Sequence, residues 1–149
     1  SVILGMMSVT VYNWLNTYDS VEDYQHLPID EGELLGSKFK AFKVIAGILI
    51  LPFVLVSYLL YGGNLVFAAL IAFVTAYYVG AITMYEAGLN PNERMIEAWT
   101  FTKFLVLVNL FMMPLLALSS LDVDPVYIVG ILVSMIAIGK IAEHRALAG

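Results

Sequence analysis

Few side chains in this 149-residue sequence could do chemistry, and those that could are scattered. Asn13, Asn16, Ser57, Thr75, Thr83, Glu86, Thr100, Thr102 and Asn109 stand in or beside long apolar stretches. A hydroxyl in such a setting can bond a carbonyl of its own helix. An amide carries more donor and acceptor capacity than one carbonyl can absorb. Asn13 and Asn109, at or toward mid-span, are therefore expected to seek partners across helices, as substrate-pathway residues or as interhelical packing. Glu86, Glu97 and Lys103 are charged groups at the edges of apolar runs, shallow enough to be solvated or paired.

The remaining reactive types form no constellation. His26 and His144 lack a second ligand at His-x-x-x-His or Glu-x-x-His spacing, so no metal site is expected. The absence of cysteine excludes disulfides, thiolate ligands and a thiol nucleophile. Without a glycine loop ending in Gly-Lys-Ser or Gly-Lys-Thr, the chain is not expected to hydrolyse ATP itself. There is no basic tract for nucleic acid. The reading is of a non-enzyme without cofactor.

The elements that position these residues follow from composition. With 61% hydrophobic and 13% charged residues, against roughly 45–50% and about 25% in soluble domains, so short a chain cannot hide its apolar surface from water. Uncharged runs at 44–64, 65–84, 104–121 and 126–139 point to a bilayer, whose core takes about 20 apolar residues to cross. The fold class is all-α, a polytopic transmembrane bundle of about five spans at 1–18, 41–61, 64–87, 95–120 and 125–147. It forms a single transmembrane domain with a cytoplasmic interfacial or coupling helix.

Breakers separate the spans. Gly62-Gly63-Asn64 forms a hairpin, and Gly88 ends the third span. Asn90, Pro91 and Glu93 read as N-cap, N1 and N3 of the fourth, and 119–125 turns into the fifth. Pro52 and Pro114 fall inside spans, where they are expected to kink the helix. Trp14, Trp99, Tyr12, Tyr58, Tyr77, Tyr78 and Tyr127 read as interfacial anchors or packing. Because Ser1 leads straight into an apolar stretch with no Met and no polar leader, further sequence is expected before it.

Lys38, Lys40, Lys43, Arg94, Lys103, Lys140 and Arg145 are all the basic residues, and five crossings bring them toward one side. The positive-inside rule then assigns 19–40, the turn at 88–94 and the C-terminus to the cytoplasm, in a cell (plasma) membrane. Lys103 would snorkel back to that side. The net charge of −5 stems mainly from the acidic stretch 19–33.

Residues 19–40 are too polar to span and too patterned for a plain linker. Asp30 and Glu33 have capping-box spacing, and Leu34, Leu35, Phe39 and Phe42 form an apolar stripe beside Lys38 and Lys43. This pattern predicts an amphipathic helix at the inner membrane surface, serving as an anchor or as a docking helix. Leu27-Pro28-Ile29, then Glu33-Leu34-Leu35-Gly36-Ser37-Lys38 running directly into a span, resembles the permease of type-2 ATP-binding-cassette transporters. The turn Gly88-Leu89-Asn90-Pro91-Asn92-Glu93 is similar to that family's inner turn between its fourth and fifth spans. The resemblance maps the five spans onto the second to sixth of a six-span permease.

The resemblance implies several partners: the lipid bilayer, a separate ATP-binding-cassette ATPase subunit and a second permease copy. It also implies partner-binding residues Leu27, Pro28, Ile29, Glu31, Glu33, Leu34 and Leu35. A different class of function, a non-transport membrane scaffold binding a cytoplasmic protein through the same acidic loop, is the alternative.

Overall fold

The computed structural model describes residues 2–18, 29–62, 64–89, 91–121 and 124–148. They form helices α1 (Val2–Tyr18), α2 (Glu31–Tyr61), α3 (Leu65–Ala87), α4 (Pro91–Arg94), α5 (Ala98–Ser120) and α6 (Pro125–Ala148). The protein is an all-α helical bundle. Four helices, α2, α3, α5 and α6, are long and apolar enough to cross a membrane. α1 has 17 residues, about 26 Å at a rise of 1.5 Å per residue, a little under the ~30 Å of a hydrocarbon core.

Local chemistry sets most boundaries. Gly62 closes α2 at φ 69°, donating its N–H to Tyr58 O at 2.8 Å. This positive φ carries a steric cost for side chains that glycine avoids. Asn64 caps α3 by accepting from Phe67 N at 3.0 Å. Gly88, at φ 59°, ends α3 through Met84 O. Asp124 accepts from Val126 N at 3.0 Å and Pro125 opens α6, the favoured first position for proline.

Two starts differ from expectation. Pro91 opens only the four-residue α4, and the long helix begins separately at Ala98, with Glu97 in extended geometry before it. Asn90 and the Glu93 side chain lie outside the described residues. Asp30 takes the N-cap position of α2, but its side chain makes no capping bond. Leu34 N instead reaches Asp30 O at 3.0 Å. The capping box therefore has the right spacing without the bond.

Successive long helices alternate in direction. Glu31, Gly88, Arg94 and Arg145 border one cavity, so the start of α2, the ends of α3 and α6, and α4 meet at one charged end. α3 is the centre of the bundle, with 13 of its 23 residues buried. Ala68, Ala72, Ala76 and Gly80 repeat every fourth residue, a small-residue ridge that admits close approach of α2. Ile50 and Val54 of α2 pack on Ala72 and Ala76. A Cβ at Gly80 would fall 2.6 Å from Phe42 Cζ. On another side, Tyr78 donates to Leu107 O of α5 at 2.5 Å and meets Phe111 edge-on.

α2 corrects the expectation of a separate interfacial helix. Its 31 residues run unbroken from Glu31 to Tyr61, about 46 Å at 1.5 Å per residue. That exceeds the hydrocarbon thickness by about 10 residues. Leu35, Phe39, Phe42, Ala46, Ile50 and Val54 are all buried. Their spacing keeps one face of α2 against the bundle through both the polar and apolar halves. A bend after Lys40 would lift Leu35 and Phe39 off that core, and no proline intervenes before Pro52 to cause one.

Candidate functional site

The polar centre of the charged end is Glu143 of α6, a residue that sequence reasoning passed over. Its carboxylate accepts from Lys43 Nζ of α2 at 3.0 Å and from the Tyr77 hydroxyl of α3 at 2.8 Å. Lys140 Nζ lies 3.5 Å away on the preceding turn. The Glu143 side chain is 15% exposed and that of Lys43 37%. The Tyr77 bond is part-buried, whereas the Lys43 pair is open to water on its lysine side and is screened there. With both oxygens engaged, the carboxylate fastens α2, α3 and α6 together rather than standing free as a base.

The brace depends on packing around it. Gly139 lets the Tyr77 ring cross α6, since a Cβ there would fall 2.8 Å from Tyr77 Cε1. Lys43 Nζ sits 4.7 Å over the Phe39 ring, and Phe39 stacks on Phe42 at 5.5 Å. Phe42 in turn meets the Tyr12 ring edge-on at 5.7 Å. Tyr12 donates to Gly88 O at 2.9 Å, tying α1 to the end of α3. α2 is thus clamped by an aromatic stack and an ion pair two to three turns beyond its exposed start.

At that start, Glu31 and Glu33 are exposed and Ile29 is 41% exposed, whereas Leu34 is half-buried. Leu35 is 7% exposed and belongs to the core. The face of the stripe carrying Leu35, Phe39 and Phe42 therefore turns onto the bundle. Leu27 and Pro28 lie outside the described residues. Ile29, Glu33, Leu34 and Lys38 border a cavity of about 460 Å³ that reaches Leu15 of α1. The outward acids and this notch stand side by side at the start of α2.

The two pathway candidates are not joined. Asn109 Nδ2 donates to Leu105 O of its own helix at 2.8 Å. This corrects the expected cross-helix bond: only Val108, Met112 and Leu115 of α5 are buried, leaving the neighbouring amide half-exposed with its own backbone nearest. Asn13 is half-buried, and its Oδ1 has no hydrogen-bond partner among the described residues. The same holds for Asn16 Oδ1 and Thr75 Oγ1. Thr83 and Thr102 bond their own helices, as expected.

Glu86 and Lys103 come together with Arg145 along a groove between α3, α5 and α6, while Glu97 stays at the start of α5, bonded to Thr100. Among the described residues no three His, Cys, Asp or Glu side chains group as a metal site. The helices and their charged end define an all-α integral membrane protein. Compared with known proteins, the chain matches no protein-family model, no curated protein and no solved structure.

Proposed function

We propose that the chain is the membrane-spanning permease part of an ATP-driven transporter of the ATP-binding-cassette type. Force from a separate ATPase subunit enters through the 27–40 segment, and a second permease copy completes the pathway. The charged end faces the cytoplasm of a cell membrane, in keeping with its lysines and arginines.

The observation that carries this reading is the continuity of α2. A coupling device needs a grip outside the bilayer and a stiff connection to the helices inside it. Glu31 and Glu33 supply exposed charge at the grip. The unbroken helix to Tyr61 supplies the connection. Leu35, Phe39, Phe42 and the Lys43–Glu143 pair pass a displacement of that end directly to α3 and α6. An interface-lying helix on a flexible joint would dissipate it.

Purification of the native complex in mild detergent, followed by identification of the bound proteins, tests the reading. A P-loop ATPase in stoichiometric amount, with hydrolysis that depends on this chain, is the expected result. A filament or secretion component in its place would make the chain a membrane scaffold.

A further inference from the structure

The groove between α3, α5 and α6 has a volume of about 550 Å³, inside the ~300–1,000 Å³ range of ligand sites. Its lining is graded along the bundle axis. Toward the charged end stand Glu86 of α3, Lys103 of α5 and Arg145 of α6. One to two turns deeper on the same three helices stand Ile82, Val106 with Leu107, and Ile138 with Ile141. Two parallel helices, α3 and α6, and the antiparallel α5 thus place polar groups at one depth and branched apolar groups at another. That is the profile of a lipid, with its headgroup at the membrane boundary and its chain toward the middle.

Charge selects among lipids. Two cations against one carboxylate leave one net positive charge, which a single phosphodiester anion cancels and a zwitterionic headgroup does not. Arg145 also borders the adjoining cavity with Glu31 and Arg94, one charge of each sign, so the balance stands. Lys103 lies 5.4 Å over the Trp99 ring, and that ring is 69% exposed at the same boundary. The Arg145 side chain makes no hydrogen bond or ion pair among the described residues. Basic pockets between membrane helices bind anionic headgroups for this reason.

We propose that this groove binds one anionic phospholipid, its phosphate between Lys103 and Arg145 and an acyl chain along Val106, Ile138 and Ile141. The test uses the whole chain in nanodiscs of phosphatidylcholine with graded phosphatidylglycerol, read by thermal midpoint and by the lipid retained on native mass spectrometry. Phosphatidylglycerol should raise the midpoint and remain bound at one copy. Lys103→Gln and Arg145→Gln should each weaken its retention about fivefold, the effect of one basic residue near a charged lipid. Lys40→Gln, which removes an exposed charge outside the groove, should leave retention unchanged. Val106→Trp, which fills the apolar half without altering charge, should also expel the lipid. Equal retention of phosphatidylcholine, equal loss in Lys40→Gln, or full retention in Lys103→Gln and Val106→Trp would overturn the proposal.

Discussion

Gly80→Ala should destabilise the bundle, although alanine is the better helix former. The added Cβ would stand 2.6 Å from Phe42 Cζ, about 1 Å inside ordinary carbon contact. A mobile ring could step aside, but Phe42 is fully buried, stacked on Phe39 at 5.5 Å and met by Tyr12 at 5.7 Å. Moving it disturbs both neighbours, so the cost belongs near the upper end of the ~1–3 kcal/mol for overpacking. The helix-propensity gain is about 1 kcal/mol. A net loss of about 1–2 kcal/mol remains, a fall of roughly 2–8 °C in thermal midpoint for a chain of this size. Melting in detergent, followed by circular dichroism, measures it. Phe42→Leu in the same chain should recover part of the loss by clearing the overlap. A Gly80→Ala protein as stable as the parent would refute close packing of α2 on α3 at this point.

Glu143→Ala should cost about 1–2 kcal/mol, mostly by stripping the part-buried Tyr77 hydroxyl of its acceptor, whereas Glu143→Gln should cost about 0.5 kcal/mol by retaining that hydrogen bond; paired melting curves check the order. Leu35→Ala should lower stability by about 2–3 kcal/mol because the side chain is in the core, while Glu31→Ala should stay within about 0.5 kcal/mol; both are read in the same assay. Cysteines placed at the exposed positions Ser37 and His144 should resist an impermeant thiol reagent applied to intact cells, whereas one at Ser120 should react.

What was legible in the sequence was mostly local. Gly62, Asn64, Gly88 and Pro125 mark their helix ends through bonds spanning two to four residues, so neighbouring residue types suffice to place them. The start of α5 was misplaced because Asn90-Pro91 is a good local signal that is spent on the single turn of α4. The stripe of Leu35, Phe39 and Phe42 was visible as an apolar face, but its periodicity cannot say whether lipid or α3 covers it. That choice is made by Gly80, whose missing side chain opens the place for Phe42. Glu143 escaped notice because its partners Lys43 and Tyr77 lie 100 and 66 residues away. Only the Lys140–Glu143 spacing of three hinted at it.

The most direct test of the proposed coupling through α2 is to reverse the charge at its exposed end and leave the clamped face intact. Glu31→Lys with Glu33→Lys changes two exposed residues in the first turn, where acids also favour the helix start. Thermal melting identifies any loss of fold, and co-purification of the proposed ATPase together with its hydrolysis rate is the measurement. The expected result is loss of the bound ATPase and of stimulated hydrolysis while the bundle still melts cooperatively within a few degrees of the parent. An ATPase that remains bound and fully active on the charge-reversed chain would contradict force entry at the start of α2.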